Sequence, residues 1–238
     1  MGSEDMGCLE VVETHRSVRS FSREPIPDED LNKILRAAQR HVSPWNLQPI
    51  HVTVVRDEGL KSKLAEILWG QEQIKDAPVF LVFSIDYAKV LRALEKIGAE
   101  SKVLGLADLV QGFISASVAL GWSILVAESL GYVVNIIAAY GRPCAVADTL
   151  NLPKYVVPIA GLLVGKPAGE LPPVTPRAPI GASVGLDGYG SVDEKSEYYA
   201  KTVEGFVDKV ARVLRPGGPV DRMEKEIREC YEARGFKI

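Results

Sequence analysis

The sequence predicts one α+β domain, on three observations. Short β-rich apolar segments are interspersed with amphipathic helical ones, no internal repeat or clear linker divides the 238 residues, and an almost wholly apolar stretch lies mid-chain. A helix that is apolar all round belongs in the middle of a fold or in a subunit interface.

Pro25-Ile26-Pro27-Asp28-Glu29-Asp30 opens the first clear helix; the prolines suit its first turn and the acids the positive end of its dipole. Leu31, Ile34, Leu35 and Ala38 follow at i, i+3, i+4 and i+7, the stripe of a core-facing helix, and Arg36, Arg40 and His41 suit its C-terminal end. The prolines make Ser43 to Pro49 a loop, and His51 to Val55 alternates as a strand. Gly59 to Trp69 reads as a helix with Leu60, Leu64, Ile67 and Leu68 on one side. Pro78 to Ile85 is nearly all apolar and reads as a central strand buried on both faces. Asp86 to Ile97 reads as a polar-faced helix.

Leu106 to Leu130 is the apolar helix. Glu128 and Asn135 interrupt the apolar run that continues past it, and Gly121 and Gly131 punctuate it, which favours a buried helix leading into a strand over a membrane span. Tyr132 to Ala138 and Val156 to Val164 read as strands and Pro167 to Arg177 as irregular chain. Tyr198 to Leu214 and Val220 to Arg234 read as closing helices around the Pro216-Gly217-Gly218-Pro219 turn. The domain spans 1–238, with 1–8 a frayed or non-native start and 181–238 a C-terminal extension.

Composition narrows the function. The chain is 47% hydrophobic and 25% charged, as in ordinary globular proteins, and its net charge of −3 makes any basic cluster local, which argues against a nucleic-acid binder. Cys8, Cys144 and Cys230 are far apart and form no CxxC pair; they suggest neither a zinc site nor a disulfide framework, and a reducing cytoplasm is the default setting. His15, His41 and His51 lack metal-ligand spacing, so no metal is expected. The first ten residues carry no secretion signal. Gly-x-Gly-x-x-Gly, Walker and Gly-x-Ser-x-Gly patterns are missing. With no reacting side chain in view, catalytic residues are expected to be none, and the chemistry is assigned to a bound cofactor.

The densest functional signal is His15-Arg16-Ser17-Val18-Arg19-Ser20-Phe21. Two guanidiniums, a hydroxyl and an imidazole within five positions form a compact set of donors for phosphate or carboxylate oxygens. The same cluster also reads as a solvated basic turn.

HRSVRSFSREPIPDEDLNKILRAAQ followed by SPWNLQP and a strand resembles the start of the FMN-dependent nitroreductase family. The likeness continues in family order through GQEQIKDAPVFLVF, AESLGYVVNIIAAYG, LNLPKYVVPIAGLLVGKPAG and VTPRAP, over residues 12 to 180. The tail, with Gly188-Tyr189 and Tyr231 to Phe236, is similar to the NADPH-dependent nitroreductase and flavin reductase branch. The resemblance implies a nitroreductase-like fold, a mainly antiparallel sheet flanked by helices in an intertwined homodimer with two interface clefts.

It also implies a tightly held, non-covalent FMN and a set of residues that bind it. His15, Arg16, Ser17 and Arg19 match the phosphate and ribityl segment, with Arg19 on the N1/O2 side. Ser43, Pro44 and Asn46 match a loop that reaches the flavin of the partner subunit. Gln71 matches an amide on the pyrimidine edge, Ala138 and Ala139 a small pair beside N5, and Arg177 a second phosphate-binding cation. NADPH or NADH would supply hydride in a ping-pong reaction ending on a nitroaromatic, a quinone or free flavin, small planar acceptors all. Neither nucleic acid nor membrane is an expected partner.

Taken singly, Arg177 reads as a surface arginine, Ala138-Ala139 as strand packing, Gln71 as solvated and Asn46 as a turn cap; their joint occurrence supports the binding reading. Two departures matter. Thr175 stands where the family often has Lys, and Ala138-Ala139 replaces the usual small pair, commonly Gly-Gly or Glu-Gly. They keep open a relative with a different flavin reaction (dehalogenation, heterocycle oxidation, flavin cleavage) or a flavin-binding redox sensor without turnover. Trp45 fits either a flavin or substrate contact or an interface filler. Arg212 and Arg215 are available for a 2′-phosphate and read first as a solvated helix face.

Overall fold

A computed structural model describes residues 7–202 and 207–238, and the expected frayed start falls almost wholly outside them. Helices α1 (Cys8–Thr14) and α2 (Asp28–Gln39) precede strand β1 (Ile50–Val55). Then come α3 (Glu58–Ile67), α4 (Gln73–Asp76), β2 (Val79–Asp86), α5 (Ala88–Lys96), α6 (Leu106–Ser129), β3 (Val133–Ile137), α7 (Pro143–Thr149) and β4 (Val156–Gly165). The chain closes through α8 (Val192–Thr202), α9 (Val207–Leu214) and α10 (Pro219–Ala233). The expected helix over 198–214 is replaced by α8, which begins earlier, and α9; residues 203–206 lie outside the description.

The four strands form one sheet in the order β1-β2-β4-β3, every pair antiparallel, as the α+β reading requires. Strand β2 is buried along its whole length, and its side chains alternate between two cores with the strand period of two. Leu81, Phe83 and Ile85 pack with Leu31 and Ile34 of α2 and with Leu109, Ala116 and Ala119 of α6. Phe80 and Val82 face the other way, onto Leu64 of α3, Ile74 of α4 and Val146 of α7. The result is a sheet between two helical layers. Close approach sets two glycines. A Cβ on Gly112 of α6 would lie 2.5 Å from Ile85 Cγ2, and one on Gly161 of β4 would lie 2.2 Å from Phe80 Cε2.

Contacts divide the chain into two compact units, residues 1–172 with 226–238 and residues 173–225. In the first, the C-terminal stretch is a strap. Tyr155 N donates to Arg234 O at 2.9 Å, Lys237 N to Leu104 O at 2.8 Å, and Phe236 meets the rings of Tyr87 and Tyr155 edge-on. A disulfide joins Cys144 of α7 to Cys230 of α10, 86 residues apart. This corrects the expectation that the cysteines form no disulfide: separation along the chain says nothing once α10 folds back against α7. Cys8 is free and exposed. The second unit holds α8, α9 and the start of α10; there Lys195 Nζ donates to Gly181 O and Val184 O at 2.8 and 2.9 Å.

Helix α6 has 24 residues and a mean hydropathy of 1.8, enough by length and composition to cross a membrane. It is instead a partly buried core helix, packed along one side against α2, β2 and β4. Leu106, Val110, Ile114 and Trp122 are exposed, together with Ser117 and Gly121.

Candidate functional site

The 15–22 segment is short irregular chain, and the sheet holds it through its backbone. Val18 N donates to Val134 O at 3.0 Å, with Ser17 and Val134 paired in parallel. Ser22 N donates to Lys166 O at 2.9 Å and Ala168 N to Ser20 O at 3.1 Å, beyond the end of β4. Buried Val18 and Phe21 are its anchors (3% and 4% exposed). Side chains between the anchors are consequently left outside.

Those side chains are short of partners. Arg19 and Ser17 are exposed and, among the described residues, neither side chain makes a hydrogen bond or ion pair. Arg16 donates only to carbonyls, Nε to Thr14 O and Nη1 to Pro172 O, both at 3.1 Å. Two guanidiniums with no carboxylate bridged to them and a free hydroxyl are a donor set that fits a phosphate monoester, which brings about two negative charges. His15 differs: its Nδ1 lies 2.8 and 3.0 Å from the two oxygens of Glu128.

Because the pairing is parallel, 15→19 runs along β3 toward its end, where Ala138 and Ala139 begin a 3₁₀ turn closed by Gly141 N donating to Ala138 O. Ala138 is half-buried and Ala139 fully buried, so only one of the two methyls faces outward. Ala138 lies four steps beyond Val134, about 13 Å along a strand. That spacing suits an elongated ligand with an anion at one end.

Gln71 comes to the same neighbourhood. Two residues before it Trp69 stands at φ 62°, and the Arg142 guanidinium lies 5.8 Å over its ring, which sets the 69–71 segment beside the 138–142 turn. The Gln71 carbonyl Oε1 accepts from Gln73 Nε2, the segment is pinned by Gly70 N and Gln71 N donating to Ala65 O at 2.9 and 3.1 Å, and the end of α4 is held by Lys61, whose buried Nζ donates to Ala77 O at 2.7 Å and Lys75 O at 3.3 Å. Burial holds the Lys61 ammonium below its usual pKa.

Ser43, Pro44 and Asn46 are not brought to this group. Their loop feeds β1, and the strand order puts β1 and β3 on opposite edges, about 14 Å apart by three strand spacings. The loop supports itself: Gln48 N donates to Ser43 Oγ and Gln48 Nε2 to Asn46 Oδ1, both at 3.0 Å. Trp45, Asn46 and Gln48 all have left-handed backbone, with φ of 49°, 56° and 49°, and Trp45 is 81% exposed. Beneath the loop, buried His41 donates from Nδ1 to Ala38 O, and desolvation lowers its pKa and keeps the ring neutral. Arg177 belongs to the second unit, where its Nη1 donates to Thr175 O at 3.0 Å.

Sequence reasoning missed three neighbours: Glu128 behind His15, and Trp69 with Arg142. Only the first left a trace, since a carboxylate within an apolar helix must find a partner once buried.

A model of the "Nitroreductase family" matches residues 12–166. The chain is 34% identical over 243 aligned positions to "FMN reductase [NAD(P)H]" of Bacillus subtilis, covering 94% of this chain and 95% of the relative. It is 32% identical to "Oxygen-insensitive NADPH nitroreductase" of Salmonella typhimurium, over 87% and 85% of the two chains. Among solved structures it is similar to the "hypothetical oxidoreductase YcnD" of Bacillus subtilis, with a TM-score of 0.88, 32% identity, and 98% and 99% of the chains covered. The fold, the site-bearing segments and these matches lead to one assignment: the chain belongs to the nitroreductase family and is an NAD(P)H-dependent flavin- and nitroreductase-type oxidoreductase.

Proposed function

We propose that this enzyme holds FMN along β3 and passes hydride from NAD(P)H to small planar acceptors, nitroaromatics, quinones or free flavin, in a ping-pong reaction. The observation that carries the reading is the set of unneutralised donors at Arg16, Ser17 and Arg19, seated by backbone bonds on the strand that leads to Ala138. FMN, when bound, supplies the two-electron relay between nucleotide and acceptor. The chain's own residues do the rest. Arg16 and Arg19 neutralise the phosphate and the ribityl side, His15 adds a third donor, and Gln71 offers an amide to the pyrimidine edge. The backbone at Ala138-Ala139 makes the close approach, and Arg177 serves as a second phosphate cation.

Ser43, Pro44 and Asn46 enter the cleft of a second copy, which explains a self-supporting loop on the far edge of the sheet. The homodimer is built on α6, where Val110, Ile114, Ser117 and Gly121 recur at helical spacing on an exposed, mostly apolar face and the small residues admit close packing. The setting is cytoplasmic, where NAD(P)H is supplied, although the Cys144–Cys230 disulfide is of a kind rare in a reducing compartment. Anaerobic stopped-flow mixing of the FMN-loaded protein with NADH or NADPH tests the reading: bleaching of the flavin band followed by reoxidation on adding a quinone is expected. Protein that binds no added FMN would overturn it; bound FMN with no nucleotide oxidation would instead favour a different flavin reaction or a redox sensor.

A further inference from the structure

Glu128 is an acid in an unusual place, 8% exposed near the end of the apolar helix α6. Its charged neighbours among the described residues are His15, held at 2.8 and 3.0 Å by Nδ1, and the Arg16 guanidinium beyond it. Val11, Thr14, Tyr132 and Val133 wall the adjoining cavity of about 270 Å³. The Tyr132 hydroxyl is committed to Asp30 at 2.8 Å. Burial raises the Glu128 pKa and the His15 hydrogen bond opposes it, so the carboxylate depends on that ring for compensation. The two side chains are not equally hidden, 10% exposed for Glu128 and 27% for His15, so the ring's outer edge remains reachable.

An imidazole carries its nitrogens on opposite flanks. With Nδ1–H donated to Glu128, a neutral ring presents a lone pair at Nε2, which repels an oxyanion; a second proton turns Nε2 into a donor. We propose that Glu128 is a positioning residue that makes His15 a two-ended donor, Nδ1–H to the carboxylate and Nε2–H to a phosphate monoester. The second proton comes from solvent as the ligand binds, because the ring then lies between two anions. Glu128 thereby couples anion capture to proton uptake. The inference rests on the FMN reading of the 15–19 segment and concerns a residue that reading does not use.

Calorimetric titration with FMN and with riboflavin, which lacks the phosphate, tests it in buffers of different ionisation enthalpy at a pH well above the second ionisation of a phosphate monoester. The wild type is expected to take up close to one proton per FMN and none per riboflavin. Glu128→Gln can still accept from Nδ1 but adds no charge; it should abolish most of the uptake and weaken FMN about tenfold, the worth of one charge-assisted hydrogen bond, with riboflavin affinity unchanged. Glu128→Asp should restore part of both. Equal loss of FMN and riboflavin affinity would mark a merely structural role, and an unchanged proton count would also overturn the proposal. If Glu128→Gln does not fold, the nitrogen shifts of His15 in the FMN-bound wild type decide, since a ring protonated on one nitrogen only is incompatible with it. A wild type that binds neither flavin would remove the FMN reading, and the same shifts measured with inorganic phosphate would still judge the pair.

Discussion

Two irregular segments of similar length, 15–22 and 43–49, sit at opposite edges of the sheet and are built on opposite principles. The first is tied by backbone hydrogen bonds to β3 and to the chain after β4, buries Val18 and Phe21, and leaves its cations outside. The second makes its hydrogen bonds mostly to itself, holds three non-glycine residues in left-handed backbone and extends Trp45 into solvent. A strand-anchored segment is held in place by its own chain. A self-supporting loop that holds a bulky residue such as Trp45 in left-handed backbone stores strain of up to about 1 kcal/mol there.

The comparison can be broken most severely through the disulfide, which touches neither segment. Cys144→Ala/Cys230→Ala removes a long loop closure worth about 4 kcal/mol and should lower Tm by many degrees, with FMN affinity unchanged once folded. Collapse of FMN binding in folded protein would mean that the seat depends on the C-terminal strap. Arg19→Ala comes next: loss of an exposed, unpaired guanidinium should leave Tm alone and weaken FMN by about 10- to 100-fold, read by fluorescence titration. Unchanged affinity would return the cluster to a solvated turn.

Trp45→Gly relieves a bulky residue at φ 49° and should raise stability by up to about 1 kcal/mol in denaturant unfolding, whereas Asn46→Gly is nearly neutral because Asn tolerates that backbone. A destabilised Trp45→Gly would show that the indole is packed in the assembled protein.

The smallest effect lies between the two regions, at Asp30 of α2, which accepts from Tyr132 OH ahead of β3. The hydrogen bonds from Tyr132 and Lys33 lower the Asp30 pKa, so their contribution is present above the ordinary aspartate range and is lost as pH falls through it. Asp30→Asn should cost less than about 1 kcal/mol at neutral pH and flatten that part of the acid unfolding profile.

What was legible followed from periodicity and local chemistry. The stripe of α2, the two-sided burial of β2 and the irregular 43–49 loop are short-range patterns, and each emerged within a few residues of its reading. Helix α1 has seven residues, too few for a period to speak. The Cys144–Cys230 bond and the His15–Glu128 pair, 113 residues apart, required knowledge of which elements meet, which composition and spacing do not carry. The candidate site divides likewise. Its donors could be named from sequence, whereas the division into a seat along β3 and a loop across the sheet needed the strand order.

The bare apolar stripe of α6 carries a consequence for how the protein behaves in a tube. If that stripe pairs with a second copy, much of the folded state's free energy belongs to an association, and mass action governs it. Its midpoint of unfolding should climb with protein concentration, and recovery from denaturant should contain a second-order phase that slows on dilution. Enzyme assayed at very low concentration would then lose activity with time, by separating rather than by unfolding.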